Sequence, residues 1–524
     1  MKNRSIALLL ATALTTTVLT SCGPFLPEET GNYTNYTLPT TAPAETSWET
    51  TETTQETTEE TDIPAAAYYD VTYETAENPT GINTDFVRTI AGVDPEMMSV
   101  DYWIDEDDNI LLMNDEEIAE FNYRNRVHEK TGDGVQMPYF DEFGETLDGK
   151  ILLAFLQENK EAAPKDPSRY YLNGSRTTKA YWDNLISLSN MDAVPDEIEV
   201  RYCFTVKRMT LRLFPTEDKV YDGTSDKFFD EMLYAECMPY MPAYVLHESS
   251  DGEYLYVVFD SYAAWVRKDA VALCKDKEDW LKRQNPEYRL TVTGREIRLG
   301  DDPYLEVNRD LVLPMGTYME LVPASEAPSV IHQRTTYGNY VVKVPTRGSD
   351  GYIKDEYVLI PVSDDVTVGY LPLTPANIVR QAFKLLGDRY GWGGDLRAND
   401  CTGITREIYR CFGILLPRVG QSNSTGIYKV DLTGMSEEEK LAEINNLYPG
   451  SLISFPGHMT IYLGTVDGIP YVISATGTFV EPAGGSTEQI HPETVIISSL
   501  YVRNRKLSPW LYIATTALMF VPEE

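Results

Sequence analysis

The spacing of apolar residues changes repeatedly along the chain, and each change marks a separate unit. An unbroken apolar run, Ile6–Leu19, stands behind Lys2 and Arg4. It is shorter than the roughly 20 residues a membrane-spanning helix needs, and it reads as an export signal occupying residues 1–22. From Gly23 to Val87 apolar positions thin out, and Glu45–Asp62 is almost entirely Thr and Glu around a single Trp. Such a stretch has too little apolar surface to offset the entropy of ordering, so 23–87 is expected to be a disordered, extended tether. Regular structure is predicted from Arg88. Over 88–196 it is mixed, with helical spacing at Asp115–Asn122, where Ile118, Ala119 and Phe121 share a face, and again at Tyr181–Ser187.

From 197 to 274 the pattern turns to short β runs, Tyr202–Val206, Thr210–Phe214, Ala243–His247, Tyr254–Phe259 and Ala264–Val266, with a hairpin signal at Ser250-Asp251-Gly252. A second β-rich stretch, 288–371, contains Leu290–Val292, Tyr318–Val322, Tyr340–Val344 and Tyr352–Ile360. The two stretches are alike in length and strand count, which predicts a duplicated module. Their spacing suits two small antiparallel barrels, joined by the charged, helical Lys275–Asn285. At Thr374-Pro375, an N-cap and first-turn pair, helical spacing returns: Ile378, Val379, Ala382, Phe383, Leu385 and Leu386 form a face that stops at Gly387. A Gly-rich loop, Tyr390-Gly391-Trp392-Gly393-Gly394, leads to Asp400-Cys401-Thr402-Gly403 and a second helix through Ile404, Ile408 and Phe412. Two β segments follow, Ser451–Phe455 and Met459–Leu463. The expected fold class is α+β multidomain.

Charge sharpens this division. The chain holds 44 Lys+Arg against 81 Asp+Glu, a formal charge of −37, which excludes a nucleic-acid binder held by phosphate attraction. The tether contributes −13 and Arg88–Thr374 contributes −23, whereas Pro375–Glu524, with 12 Lys+Arg and 15 Asp+Glu, carries only −3. The acidity therefore belongs to tether and scaffold and favours stand-off from anionic lipid. There is no C-x-x-C pair and no H-E-x-x-H, and Gly391–Gly394 matches neither a P-loop nor a dinucleotide fingerprint, so no metal and no cofactor is expected.

Candidate chemistry gathers in the near-neutral part. Cys401 falls at a helix N-terminus, where unpaired N–H groups and the helix dipole are expected to lower a thiol pKa. His458 opens a strand that could face that helix, and a thiolate with an imidazole is the pair that acyl transfer by cysteine requires. The other histidines, His128, His247 and His332 among them, read as surface or structural residues. Cys203, Cys237 and Cys274 cluster around the first β module, where two of the three could pair in an exported protein.

The order Tyr390-Gly391-Trp392-Gly393-Gly394, Asp400-Cys401-Thr402-Gly403, Leu416-Pro417-Arg418, Gln421, Pro449-Gly450-Ser451-Leu452 and Gly457-His458 before Ile461-Tyr462-Leu463-Gly464 resembles the NlpC-type family of cell-wall peptidases. The likeness runs from Thr374 to the C-terminus and implies a papain-like peptidase domain over 374–524. Upstream, Leu211–Pro215, His247–Gly252 and Ala264–Val266 resemble the bacterial SH3-like modules that precede such domains in γ-D-glutamyl-L-diamino-acid endopeptidases, implying SH3-like barrels at 197–274 and 288–371. By that resemblance Cys401 is the nucleophile and His458 the base. Tyr390 would stabilise the oxyanion, and Asp400 with Thr402 would hold the free amine of the stem peptide, in peptidoglycan stem peptides or muropeptides. Leu19-Thr20-Ser21-Cys22 resembles a bacterial lipobox, which implies lipid on Cys22 and a place at the outer face of the cytoplasmic membrane.

One departure stands out. Members of the family commonly carry His, Asn or Gln on the strand after the catalytic His, and here Ser474 takes that place. Its hydroxyl is shorter, and His491, on a later loop, is the possible substitute. Loss of an orienting group supports an alternative reading, a catalytically impaired lipoprotein that only binds cell-wall peptides.

Overall fold

The computed structural model describes residues 87–224, 227–305 and 311–523. The export signal, the lipobox cysteine Cys22 and all of the tether before Val87 lie outside them. No helix among the described residues is long and apolar enough to cross a membrane.

The first described residues pack on the domain that ends the chain. Helix α1 (Asp115–Arg124) opens with a capping box between Asn114 and Glu117. Its Ile118 and Phe121, with Val93, Met97, Trp103, Leu112 and Met113, join the same core as Ile404, Ile408, Leu452, Ile461 and Ile473. Trp103 packs on Tyr471 at 5.5 Å, and the Tyr471 hydroxyl donates to the Gly92 carbonyl at 2.8 Å. The first part of the 88–196 segment is therefore a strap on the C-terminal domain. Only the later part, with α2 (Gly149–Ala162) and α3 (Lys179–Leu188), packs on the β module that follows it.

That module contains β1 (Arg201–Thr205), β2 (Met209–Arg212), β3 (Leu233–Cys237), β4 (Pro242–Glu248), β5 (Tyr254–Phe259), β6 (Tyr262–Arg267) and β7 (Val271–Leu273). They form one antiparallel sheet in the order β7-β1-β4-β5-β6-β2-β3. Helix α4 (Lys277–Gln284) is the expected connector, and its Trp280 is buried against Tyr202 and Tyr244. The second module contains β8 (Arg289–Val292), β9 (Tyr318–Leu321), β10 (Asn339–Arg347), β11 (Ile353–Pro361) and β12 (Val366–Val368), in the order β11-β10-β9-β8-β12.

The expected strands are present, but among the described residues neither ladder closes into a barrel, which corrects the barrel form expected for both modules. Neighbouring units meet the open edges instead: Leu273 of β7 bridges to Tyr352 of the second module, and β3 lies against the Gly-rich loop of the C-terminal domain. Cys203, Cys237 and Cys274 are buried free thiols, so the possible disulfide among them is absent.

The C-terminal domain sets α5 (Pro375–Lys384) and α6 (Cys401–Arg410) against a six-stranded antiparallel sheet. Its other elements are β13 (Ile427–Asp431), α7 (Glu437–Ile444), β14 (Leu452–Phe455), β15 (His458–Val466), β16 (Ile469–Thr476), β17 (Thr494–Ser499), α8 (Trp510–Ile513) and β18 (Thr516–Pro522). The sheet order is β13-β18-β14-β15-β16-β17. Between β15 and β16 the register slips by one residue at Tyr462/Gly464, and the hairpin closes through Asp467 and Gly468, both at positive φ.

Candidate active site

The nucleophile helix is held from its first turn. Asp400 is the N-cap of α6, its Oδ1 accepting from the Gly403 N–H at 2.9 Å while Oδ2 accepts from Gly393 N–H at 3.0 Å. The second bond ties the helix start to the Gly-rich loop. That loop needs glycine: Gly394 has φ of 94°, and a Cβ there would lie 2.7 Å from the Cβ of Glu236 on β3. Two further ties fasten the first module behind this loop, the Lys219–Asp395 ion pair and the Phe229 ring 5.7 Å from Trp392.

Cys401 is therefore the first residue of α6, partly open to solvent, with its side chain against the domain core. The backbone N–H groups of Thr402 and Met459 are near enough to its sulfur to favour the thiolate. Met459 follows His458 directly, so the start of β15 comes to the nucleophile. The His458 Nε2 lies 3.1 Å from the Ser474 hydroxyl on β16. That contact leaves Nδ1 as the ring nitrogen available to the thiol. Phe455 and Trp510 flank the imidazole at 5.2 and 5.0 Å between ring centres.

This enclosure reverses one expectation from the sequence. Burial pushes the Cys401 thiol up to about 12, with the Asp400 carboxylate adding to the rise, and outweighs the pull of the Met459 and Thr402 N–H groups and of Arg418. Burial likewise pushes the His458 imidazole down to about 4, against the pull of Asp400. Removing two partners from water disfavours the charged form of each, so the resting pair is thiol and neutral imidazole. A proton passing from sulfur to nitrogen as such a sulfur attacked a carbonyl would be general-base catalysis.

Tyr390, from the Gly-rich loop, comes near Asp400 and Cys401. Its backbone N–H donates to the Glu493 carbonyl at 2.8 Å and its ring is buried. Burial, reinforced by the charge of Asp400, raises its phenol well above the ordinary value. It stays a hydrogen-bond donor at every working pH, as an oxyanion partner must.

Asp400 and Thr402 are together beside Cys401, but Arg418 already occupies them. Its guanidinium forms an ion pair with Asp400 Oδ2 and donates to the Thr402 hydroxyl, which itself donates to Asp400 Oδ1 at 3.3 Å. Arg418 thus stands where the resemblance expects a substrate ammonium. His491 is not at the imidazole. It is largely exposed, with Nδ1 3.9 Å from Glu493, and Ser474 fills the third place. His128, His247 and His332 meet Met137 O, Asn190 O and Asp302 respectively, as structural residues.

Sequence reasoning had no role for Arg418, although its motif was visible, and none for Trp510, which only the return of the chain after β17 brings to His458. Among the described residues no group of His, Cys, Asp and Glu could hold a metal ion.

Residues 387–501 match the NlpC/P60 family, cysteine peptidases that act on cell-wall material. No curated protein matches the chain. Among solved structures, an NlpC/P60 endopeptidase from Photobacterium damselae subsp. piscicida superposes with a TM-score of 0.62 at 16% identity, over 81% of this chain and 97% of that one. An NlpC/P60 family protein from Bacillus cereus gives 0.41 at 16% identity, over 61% and 100%. The first of these shows a shared fold across most of the chain.

Proposed function

We propose that this chain, which carries an NlpC/P60 domain over residues 387–501, is an exported cysteine peptidase that hydrolyses peptidoglycan stem peptides at the γ-D-glutamyl–diamino-acid amide. In this reading lipid on Cys22 holds it at the outer face of the cytoplasmic membrane, and the two antiparallel sheets are SH3-like modules. The observation that carries the reading is the meeting of Cys401, at the start of α6, with the His458 end of β15, the imidazole backed by Ser474.

The chemistry follows from these positions. The Cys401 sulfur attacks the amide carbonyl carbon as its proton passes to Nδ1 of His458. The carbonyl oxygen, now an anion, receives hydrogen bonds from the Tyr390 hydroxyl and the Cys401 N–H. The C–N bond then breaks and His458 returns the proton to the leaving amine, leaving a thioester. Water, deprotonated by His458, attacks the thioester, and the thiol regains its proton. The specific bond is supported by the order of modules along the chain and by the polar Asp400–Thr402 pair beside the nucleophile. An entering ammonium would have to displace one of the four donors that Asp400 already accepts from, Arg418 among them.

Muropeptides digested with wild type and Cys401→Ala test the activity. New D-Glu and diamino-acid ends in the wild type alone, seen by mass spectrometry, are expected. Absence of cleavage by both refutes it. Palmitate labelling of wild type but not Cys22→Ala is the corresponding test of the anchor.

A further inference from the structure

The third position beside His458 is a hydroxyl, and a hydroxyl can either donate or accept. If Ser474 donated to Nε2, the ring proton would be on Nδ1, the nitrogen that must take the thiol proton. Ser474 alone therefore does not fix a working tautomer, in contrast to a side-chain amide oxygen, which only accepts.

The next inward-facing residue of β16 supplies what is missing. Thr476, two residues on and so on the same face of the strand, places its Oγ1 2.9 Å from Ser474 Oγ and 3.4 Å from the Ser474 carbonyl oxygen. Both residues are almost wholly buried, which keeps solvent from competing for these bonds. A carbonyl only accepts. With the Thr476 proton directed to it, Thr476 Oγ1 accepts from Ser474, and Ser474 Oγ in turn accepts from His458 Nε2–H.

We propose that Thr476 is a positioning residue that gives this hydroxyl chain its direction and holds His458 in the Nε2–H tautomer, with Nδ1 free for Cys401. The proposal rests on the reading of Cys401 and His458 as a catalytic pair, and it extends that reading to a residue that touches neither the substrate nor the sulfur. The same direction suits the step after proton transfer, when the imidazolium carries N–H on both nitrogens and must donate at Nε2. A two-hydroxyl chain thus does here what one longer side chain would do alone.

The test needs no substrate. In the full chain labelled with ¹⁵N-histidine, the His458 ring shifts report the tautomer, and iodoacetamide alkylation across pH reports Cys401. Thr476→Val keeps the shape and removes the hydroxyl. It should mix the tautomers, displace the alkylation profile along the pH axis, and lower kcat on muropeptides by about tenfold with KM little changed. Thr476→Ser should restore all three. Wild-type tautomer and wild-type alkylation profile in Thr476→Val would overturn the proposal. Should that variant not fold, Thr476→Ala is read in the same way. A tautomer change in a protein that cleaves no muropeptide would uphold the positioning role and refute the peptidase reading, so the two failures are distinct.

Discussion

The contact between Arg418 and Asp400 offers a quantitative test of how the nucleophile is held. Their side chains retain 14% and 3% of their exposure, so the pair is nearly dry. Arg418→Met would strand the Asp400 charge there, and removing one partner of a buried pair costs about 3–5 kcal/mol. Asp400→Asn keeps the N-cap oxygen for Gly403 but turns the oxygen that accepts from Gly393 into an NH2 and strands the guanidinium in turn. Removing both charges together removes the penalty of an unpaired ion. A double-mutant cycle should therefore return a coupling larger than the cost of either single variant, above about 3 kcal/mol. Unfolding of a multidomain chain is not two-state, so the local opening of α6 is the better observable. Hydrogen exchange of peptides covering residues 399–411 should accelerate about 100-fold or more in Arg418→Met, since each 1.4 kcal/mol is tenfold. It should be slower again in the double variant than in either single one. Acceleration in the single variants that simply multiplies in the double would refute the claim that this ion pair holds the helix start.

Three further expectations concern neighbouring groups. Trp510→Ala removes a ring that is 4% exposed, at a cost of about 3–5 kcal/mol, and admits water to His458, so the imidazole pKa should rise from about 4 towards 6.5, as NMR titration would show. Glu407, buried on α6 and accepting from Asn399 at 2.8 Å, is pushed to about 7 by burial. A carboxyl raised in the folded state binds its proton more tightly than in the unfolded chain. Its stabilisation is therefore full below about 4.5 and lost as pH rises through 7, and the melting temperature of wild type should fall between pH 5 and 8 relative to Glu407→Gln. The buried Lys440 ammonium donates to the carbonyls of Leu511, Tyr512 and Ala514 at 3.3, 2.8 and 2.8 Å. Lys440→Met should loosen that C-terminal turn by about 1–3 kcal/mol, read as faster hydrogen exchange around residues 510–516.

Much of the catalytic domain was legible because its signals are local. Thr374-Pro375 and Asp400 start helices through caps that involve only the next three residues, and the structure places helices at both. The strands of both modules were likewise readable from alternation within each run. What failed was whatever depended on distant partners. The partner of His458 was left between Ser474 and His491, because a one-residue bulge at Tyr462/Gly464 shifts the pairing of β15 with β16 and a shift of one exchanges the two faces of a strand; the structure seats Ser474 there. Barrel closure was misjudged because the edges of the first module are met by other units.

By itself the sequence determined the kinds of groups available, their order, and the short elements that carry them, because caps, turns and apolar periodicity act over a few residues. Tertiary structure decided their protonation and their partners. Cys401 lies at a helix N-terminus that alone would favour a thiolate, yet desolvation by the strands, loops and rings around it pushes the thiol up and the His458 imidazole down, against the charged form of each. Desolvation depends on everything that packs nearby, from Tyr390 to Trp510, and so it could be read only once the chain had folded.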